Sequence, residues 1–226
     1  MHLRVNGTSA ARRVVLQTRI RWIVAATIIY NLVEAVIALT AGTLASSAAL
    51  IGFGLDSTIE VLSAAAVAWQ FTRRDPERWE KGTLRVIALA FFALAAYVAA
   101  TSAIALALRT EAQHSPVGIA LTAISVVVMP FLSLAERRAG LELGSATAVA
   151  DSKQTLICTY LSAAVLAGLL LNGLLGWWWA DAVAALVIAG FAVREGIEAW
   201  RGDACATSVG MVLEDAAPAG HDGPRG

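Results

Sequence analysis

Residues 48–71 read AALIGFGLDSTIEVLSAAAVAWQF, an apolar run broken by only two ionisable side chains, Asp56 and Glu60. A run of roughly twenty apolar residues matches the hydrocarbon thickness of a bilayer at the helical rise of about 1.5 Å per residue. An acid at the centre of such a helix costs about 3 kcal/mol on insertion scales, so two of them require a reason. Asp56 and Glu60 are spaced i, i+4, which stacks both carboxylates on one helix face about one turn apart. Two like charges so close in a dry site cannot both stay ionised. A divalent cation between them removes the conflict, and so does a shared proton.

The rest of the chain is written in the same style. Of 226 residues, 58% are hydrophobic and 15% charged, more apolar and less charged than soluble domains. The apolar residues gather into six runs, giving an all-α membrane protein with spans at about Ile20–Ala41, Ala48–Phe71, Leu84–Leu108, Val117–Leu134, Thr147–Leu171 and Trp177–Ala199. Residues 1–19 read as a polar cytoplasmic leader without a cleavable signal peptide, 20–200 as the transmembrane domain, and 201–226 as a short disordered tail. No segment alternates with period two, so a β-barrel is not competitive. The formal net charge is zero, which gives no footprint for nucleic acid. Cys158 lies in an apolar run and Cys205 in the tail, so no disulfide framework is expected.

Basic residues set the orientation. Arg4, Arg12, Arg13, Arg19 and Arg21 lie at the first span's start, Arg73, Arg74, Arg78 and Lys81 between the second and third with Arg85 just beyond, and Arg137 and Arg138 after the fourth. The opposite loops hold only Arg109. The asymmetry places both termini in the cytoplasm. Trp22, Trp69, Trp79, Trp177, Trp178, Trp179 and Trp200 all fall at span ends, as an interfacial aromatic belt requires. Pro130, late in the fourth span, is expected to kink it.

Polar groups from three spans share one depth. Asn31 and Glu34 are central in the first span, Asp56 and Glu60 in the second, and Gln154 and Cys158 in the fifth, where Asp151, Gln154 and Cys158 form one i, i+3, i+7 stripe. Such a level is where a transport site belongs. Blander roles compete. Asn31 fits interhelical glue, Cys158 a small buried hydrophobe, and Asp151 a partner of Lys153 or a helix cap. The sixth span carries Asp181 near its outer end.

Three blocks resemble the membrane domain of the cation diffusion facilitator family. Thr43-Leu-Ala-Ser-Ser-Ala-Ala-Leu-Ile-Gly-Phe-Gly-Leu-Asp56-Ser-Thr-Ile-Glu60 is similar to its second helix, Ala150-Asp151-Ser-Lys-Gln154-Thr-Leu-Ile-Cys158 to its fifth, and Trp179-Ala180-Asp181 to the start of its sixth. The segment Asp75-Pro-Glu-Arg-Trp-Glu-Lys-Gly82 resembles the family's second-to-third loop. The likeness covers roughly residues 20–202 and maps the family's four transport ligands onto Asp56, Glu60, Gln154 and Cys158. Two positions depart from the pattern: Gln154 stands for a His and Cys158 for an Asp, which makes the site softer. No His lies between His2 and His114, and neither a His-rich loop nor the family's cytoplasmic metal-sensing domain follows, so a tailless branch is expected.

The resemblance implies a cell-membrane homodimer that exports Zn²⁺ in exchange for protons by alternating access. Metal binding needs deprotonated ligands and expels their protons, which fits that exchange. The expected core pair is Asp56 and Glu60, with Cys158 third and water or Asp151 completing a tetrahedron. Zn²⁺ leads, although the mixed oxygen and sulfur set also suits Co²⁺, Cd²⁺, Fe²⁺ or Mn²⁺. The alternatives are a transport-inactive scaffold or regulator and a proton-coupled exporter of small organic cations. An enzyme is not expected, because His2, His114 and His221 all lie outside the spans.

Overall fold

The computed structural model describes residues 10–71, 76–143 and 146–202. Six helices account for almost all of them: α1 (Ala10–Ala45), α2 (Ala48–Phe71), α3 (Pro76–Leu108), α4 (Pro116–Leu143), α5 (Ala146–Leu175) and α6 (Ala180–Arg201). A helix is the form that satisfies every backbone group within its own segment, as hydrocarbon demands. The second helix has the bounds expected of the second span. Several others run past theirs. The first begins at Ala10, inside the expected leader, and α4 continues to Leu143. The expected loop from Asp75 is helical from Pro76 onward, because proline is favoured in a first helical turn, where its missing N–H has no partner to lose. The fourth helix passes through Pro130 without a break in its α-helical assignment. The tail beyond residue 202 lies outside the described residues.

The turns between helices follow from backbone chemistry. Ser46 adopts a left-handed φ of 52° between α1 and α2, and the Ser47 N–H closes the end of α1 on the Gly42 carbonyl at 3.0 Å. Gly176, at φ 66°, terminates α5. There the Trp177 N–H donates to the Leu171 carbonyl at 3.2 Å and the Gly176 N–H to Asn172 at 3.0 Å, a glycine-ended cap.

The helices pack α1 on α2 and α4, α4 on α5, α3 on α6 and α2, and α6 on α5 and α2. Leu16, Ile20 and Val24 at the start of α1 meet Ala139 near the end of α4. Arg85, early in α3, lies 5.8 Å over the Trp200 ring late in α6. At the other end the Gln113 N–H donates to Ala45 at 2.7 Å and the Asn172 amide to Ala112 at 2.7 Å. The described chain therefore begins and ends at one end of the bundle, the end that holds most of the arginines. That end is called the basic end below.

Large apolar side chains face outward along the helices, among them Ile29, Val36, Leu89, Val127 and Phe131. On a water-soluble protein such a surface would drive aggregation, whereas lipid solvates it. Among the described residues, five helices are long and apolar enough to cross a membrane. The sixth, with 22 residues, has the length. Its apolar stretch is shortened by Asp181, Arg194, Glu195 and Glu198, and all except Arg194 face the interior or its cavity. The protein is a multi-pass membrane protein, and the packed interior decides where its charges go.

Candidate cation site

The second helix can approach α1 because Gly54 and Gly42 lack side chains. A Cβ on Gly54 would sit 2.9 Å from the Leu39 backbone nitrogen, and one on Gly42 2.8 Å from that of Ile51. This close packing lets short polar side chains reach across. Ser57 on α2 donates to Glu34 on α1 at 2.9 Å, and Ser125 on α4 donates to the other oxygen of Glu34. Tyr30 shares a hydrogen bond of 2.8 Å with Ser125. Glu34, only 2% exposed, is thereby held by hydroxyls from two helices.

One turn further toward the basic end stands Glu60. The Asn31 amide donates to its Oε2 at 2.6 Å, and the Cys158 thiol donates to its Oε1 at 2.9 Å. A single carboxylate thus joins α1, α2 and α5. Gln154, one turn before Cys158 on α5, stands within reach of both Glu60 and Glu195. Asp56 is 7% exposed and lies within electrostatic range of Glu60, Glu195 and Glu34.

A cavity of about 120 Å³ opens beside this group. Asn31, Glu60, Gln154, Cys158, Glu195 and Glu198 supply its polar wall, and Ile28, Ile87, Phe91 and Met129 its apolar wall. It runs from mid-depth toward the basic end, where Ser63, Ala64 and Ala199 also line it. Toward the opposite end the bundle is filled by Leu50, Phe53, Leu121, Leu161, Val165, Leu169 and Ile188, all buried in one apolar core.

Of the residues singled out by sequence, the structure brings Glu60 and Cys158 into contact and sets Gln154 beside them. Asp56 is part of the same cluster but does not line the cavity. Asp151 belongs to α5, but its side chain lies outside the described residues. Among the described residues no three His, Cys, Asp or Glu side chains converge closely enough to hold a metal by themselves. Asn31 does act as interhelical glue, through its bond to Glu60. Glu195 and Glu198 are cavity residues that sequence reasoning overlooked. They sit at the end of the sixth span, where an acid reads as interfacial, and the remaining signal was their i, i+3 spacing.

Asp181 has a different occupation. Its Oδ2 accepts from the Ala48 N–H at 2.8 Å and the Ala49 N–H at 3.4 Å, and Ser47 donates to its Oδ1. The acid at the start of α6 therefore caps the N-terminus of α2, whose orphan N–H groups and positive dipole end favour a negative charge.

The buried carboxylates, the facing thiol and a cavity running from mid-depth toward the basic end are what a carrier of small cations requires. Comparison with curated proteins finds no match. The profile described as the cation efflux transmembrane domain matches residues 24–201, nearly the whole helical bundle. The chain belongs to this family, a family of membrane cation transporters and not of enzymes.

Proposed function

We propose that the protein exports a divalent metal cation, with Zn²⁺ first in order, by proton-coupled alternating access. The observation that carries this reading is the meeting of Glu60 and Cys158 across α2 and α5 on the wall of a cavity at mid-depth. Asp56, Glu60 and Cys158 are the proposed core ligands, with Gln154, Asp151 or water completing the shell. Ligand exchange between metal and protons supplies the coupling, since a thiol and carboxylates must lose protons to bind metal. The excess of arginine at the basic end supports a cytoplasmic location for both termini, and hence export of what the cavity takes up there. A homodimer in the cell membrane accords with the family resemblance.

The cavity's size argues against the organic-cation alternative. At about 120 Å³ it falls well below the roughly 300 Å³ at which sites for drug-sized ligands begin, and among the described residues Phe91 is its only aromatic wall residue. The transport-inactive alternative draws on Gln154 and on the lack of three converging ligands among the described residues. Uptake of radioactive zinc into inverted vesicles separates the two. Wild-type protein is expected to accumulate zinc and the Asp56→Ala variant to lose that uptake. Equal uptake by both removes the transport reading.

A further inference from the structure

Four buried side-chain oxygens among the described residues lack a hydrogen-bond partner, and two of them belong to residues lining the same cavity. One is Oδ1 of Asn31, a residue only 6% exposed. Its Nδ2 donates to Glu60 at 2.6 Å, which leaves Oδ1 as the unbonded end of the amide. The other is Oε1 of Glu195 on α6. Both atoms are acceptors, and both belong to residues that line a cavity together with Glu60 and Cys158. An acceptor oxygen that finds no donor inside a protein is well satisfied by a cation, and amide and carboxylate oxygens are the ligands that hard divalent ions prefer.

We infer that Asn31 and Glu195 are cation ligands, so that the site is built from α1, α2, α5 and α6 and presents mainly oxygen. The inference rests on the transport reading above and deepens it. Glu60, Asn31 and Glu195 would supply oxygens and Cys158 a single sulfur once a cation draws together groups that do not converge in this arrangement. Zn²⁺ is satisfied by four ligands, whereas Mn²⁺ takes more and prefers oxygen, so the added oxygens matter most for Mn²⁺. The sixth helix gains a direct part in binding. Glu198, one turn further toward the basic end and paired with Arg194 at 2.9 Å, lines the same cavity.

The test is Mn²⁺ binding to the detergent-purified full chain, followed by loss of the free-ion electron paramagnetic resonance signal, with Zn²⁺ binding measured in parallel. Wild type is expected to bind both ions, and Glu60→Gln to lose both. Asn31→Leu and Glu195→Gln are each expected to raise the Mn²⁺ Kd about tenfold or more and the Zn²⁺ Kd by less. Asn31→Asp separates ligand from glue, because it keeps the oxygen and removes the donor to Glu60. A ligand role predicts Mn²⁺ binding at least as tight as wild type, and a purely structural role predicts weaker binding. This variant decides the matter if Asn31→Leu fails to fold. If Glu60→Gln binds both ions normally, the transport reading fails. If Glu60→Gln loses binding while the Asn31 and Glu195 variants match wild type, the inference alone is overturned and those oxygens are bonded to water. Zn²⁺ binding by wild type without Mn²⁺ binding also overturns it.

Discussion

Asp181 and Glu60 are both buried acids that tie α2 to its neighbours, yet their surroundings give them opposite roles. Asp181 meets the N-terminus of α2, where a hydroxyl and two backbone N–H groups donate to it. Its charge is answered by the fold, next to an apolar core that fills that half of the bundle. Glu60 lies further along the same helix and has an amide and a thiol for partners, three further acids in electrostatic range (Glu34, Asp56 and Glu195), and a cavity alongside. No described arginine or lysine pairs with it. An acid satisfied by backbone dipoles holds a structure together. An acid crowded by other acids beside a cavity waits for a mobile positive charge.

Removing the charge at the cavity gives the largest expected effect. Glu60→Gln keeps the size of the side chain and an acceptor for the Asn31 amide, but it removes the anion. Zinc uptake into inverted vesicles is expected to fall about a hundredfold or more, while the detergent Tm stays the same or rises as acid–acid repulsion is relieved. A fall in Tm with uptake preserved would make Glu60 an anchor like Asp181 and erase the contrast.

Asp181→Ala should do the reverse. It leaves the Ser47 hydroxyl and the first N–H groups of α2 without their acceptor and removes a favourable charge from a helix N-terminus. The expected loss is about 2–4 kcal/mol of stability, read from thermal unfolding in detergent. Uptake per folded molecule should stay within about twofold of wild type.

Acidification offers a third, smaller measure. Zinc affinity is expected to drop about tenfold or more between pH of about 7.5 and about 5.5, because protons compete for the ligand oxygens and the sulfur. The direction is fixed: the carboxylate and thiol ligands must lose their protons to bind, so added protons oppose metal. The Asp181→Ala variant should show the same slope, since Asp181 binds no cation. An affinity unchanged across that range in the wild type would place the metal on a neutral or surface site.

Much of this contrast was legible in the sequence, and the illegible part has a physical cause. Hydropathy reports contact with oil, so α2, which lies wholly within an apolar run, was delimited correctly at Ala48 and Phe71. The extra turns of α1, α3 and α4 contain arginines and acids, and a helix can continue into the polar interface where hydropathy falls silent. Depth was legible too, since span length fixes it, and Glu60, Gln154 and Cys158 do meet. What spacing could not tell was which acid finds which partner. The sequence puts Asp181 near the outer end of its span but names no partner for it, and only tertiary packing brings it to the start of α2, more than a hundred residues earlier in the chain. Glu195 escaped notice for a related reason: at a span end an acid is cheap, and nothing local says that it turns inward.

Glu34 tests the contrast most finely, because it shares the cavity's depth but has the partners of an anchor. Ser57 and Ser125 both donate to it, and each hydroxyl also has a backbone carbonyl within reach, Phe53 at 3.1 Å and Leu121 at 3.1 Å. In Glu34→Gln one hydroxyl can keep donating to the amide oxygen. The other can turn to its own helix carbonyl and accept from the new N–H, since a serine hydroxyl does both. The expected cost is below about 1 kcal/mol, and uptake should remain within about threefold of wild type. Depth alone would make Glu34 a fourth transport acid, and partner count makes it a strut. A loss of uptake as deep as that of Glu60→Gln, with Tm unchanged, would mean that the hydroxyls around Glu34 yield to the cation and that depth was the better guide.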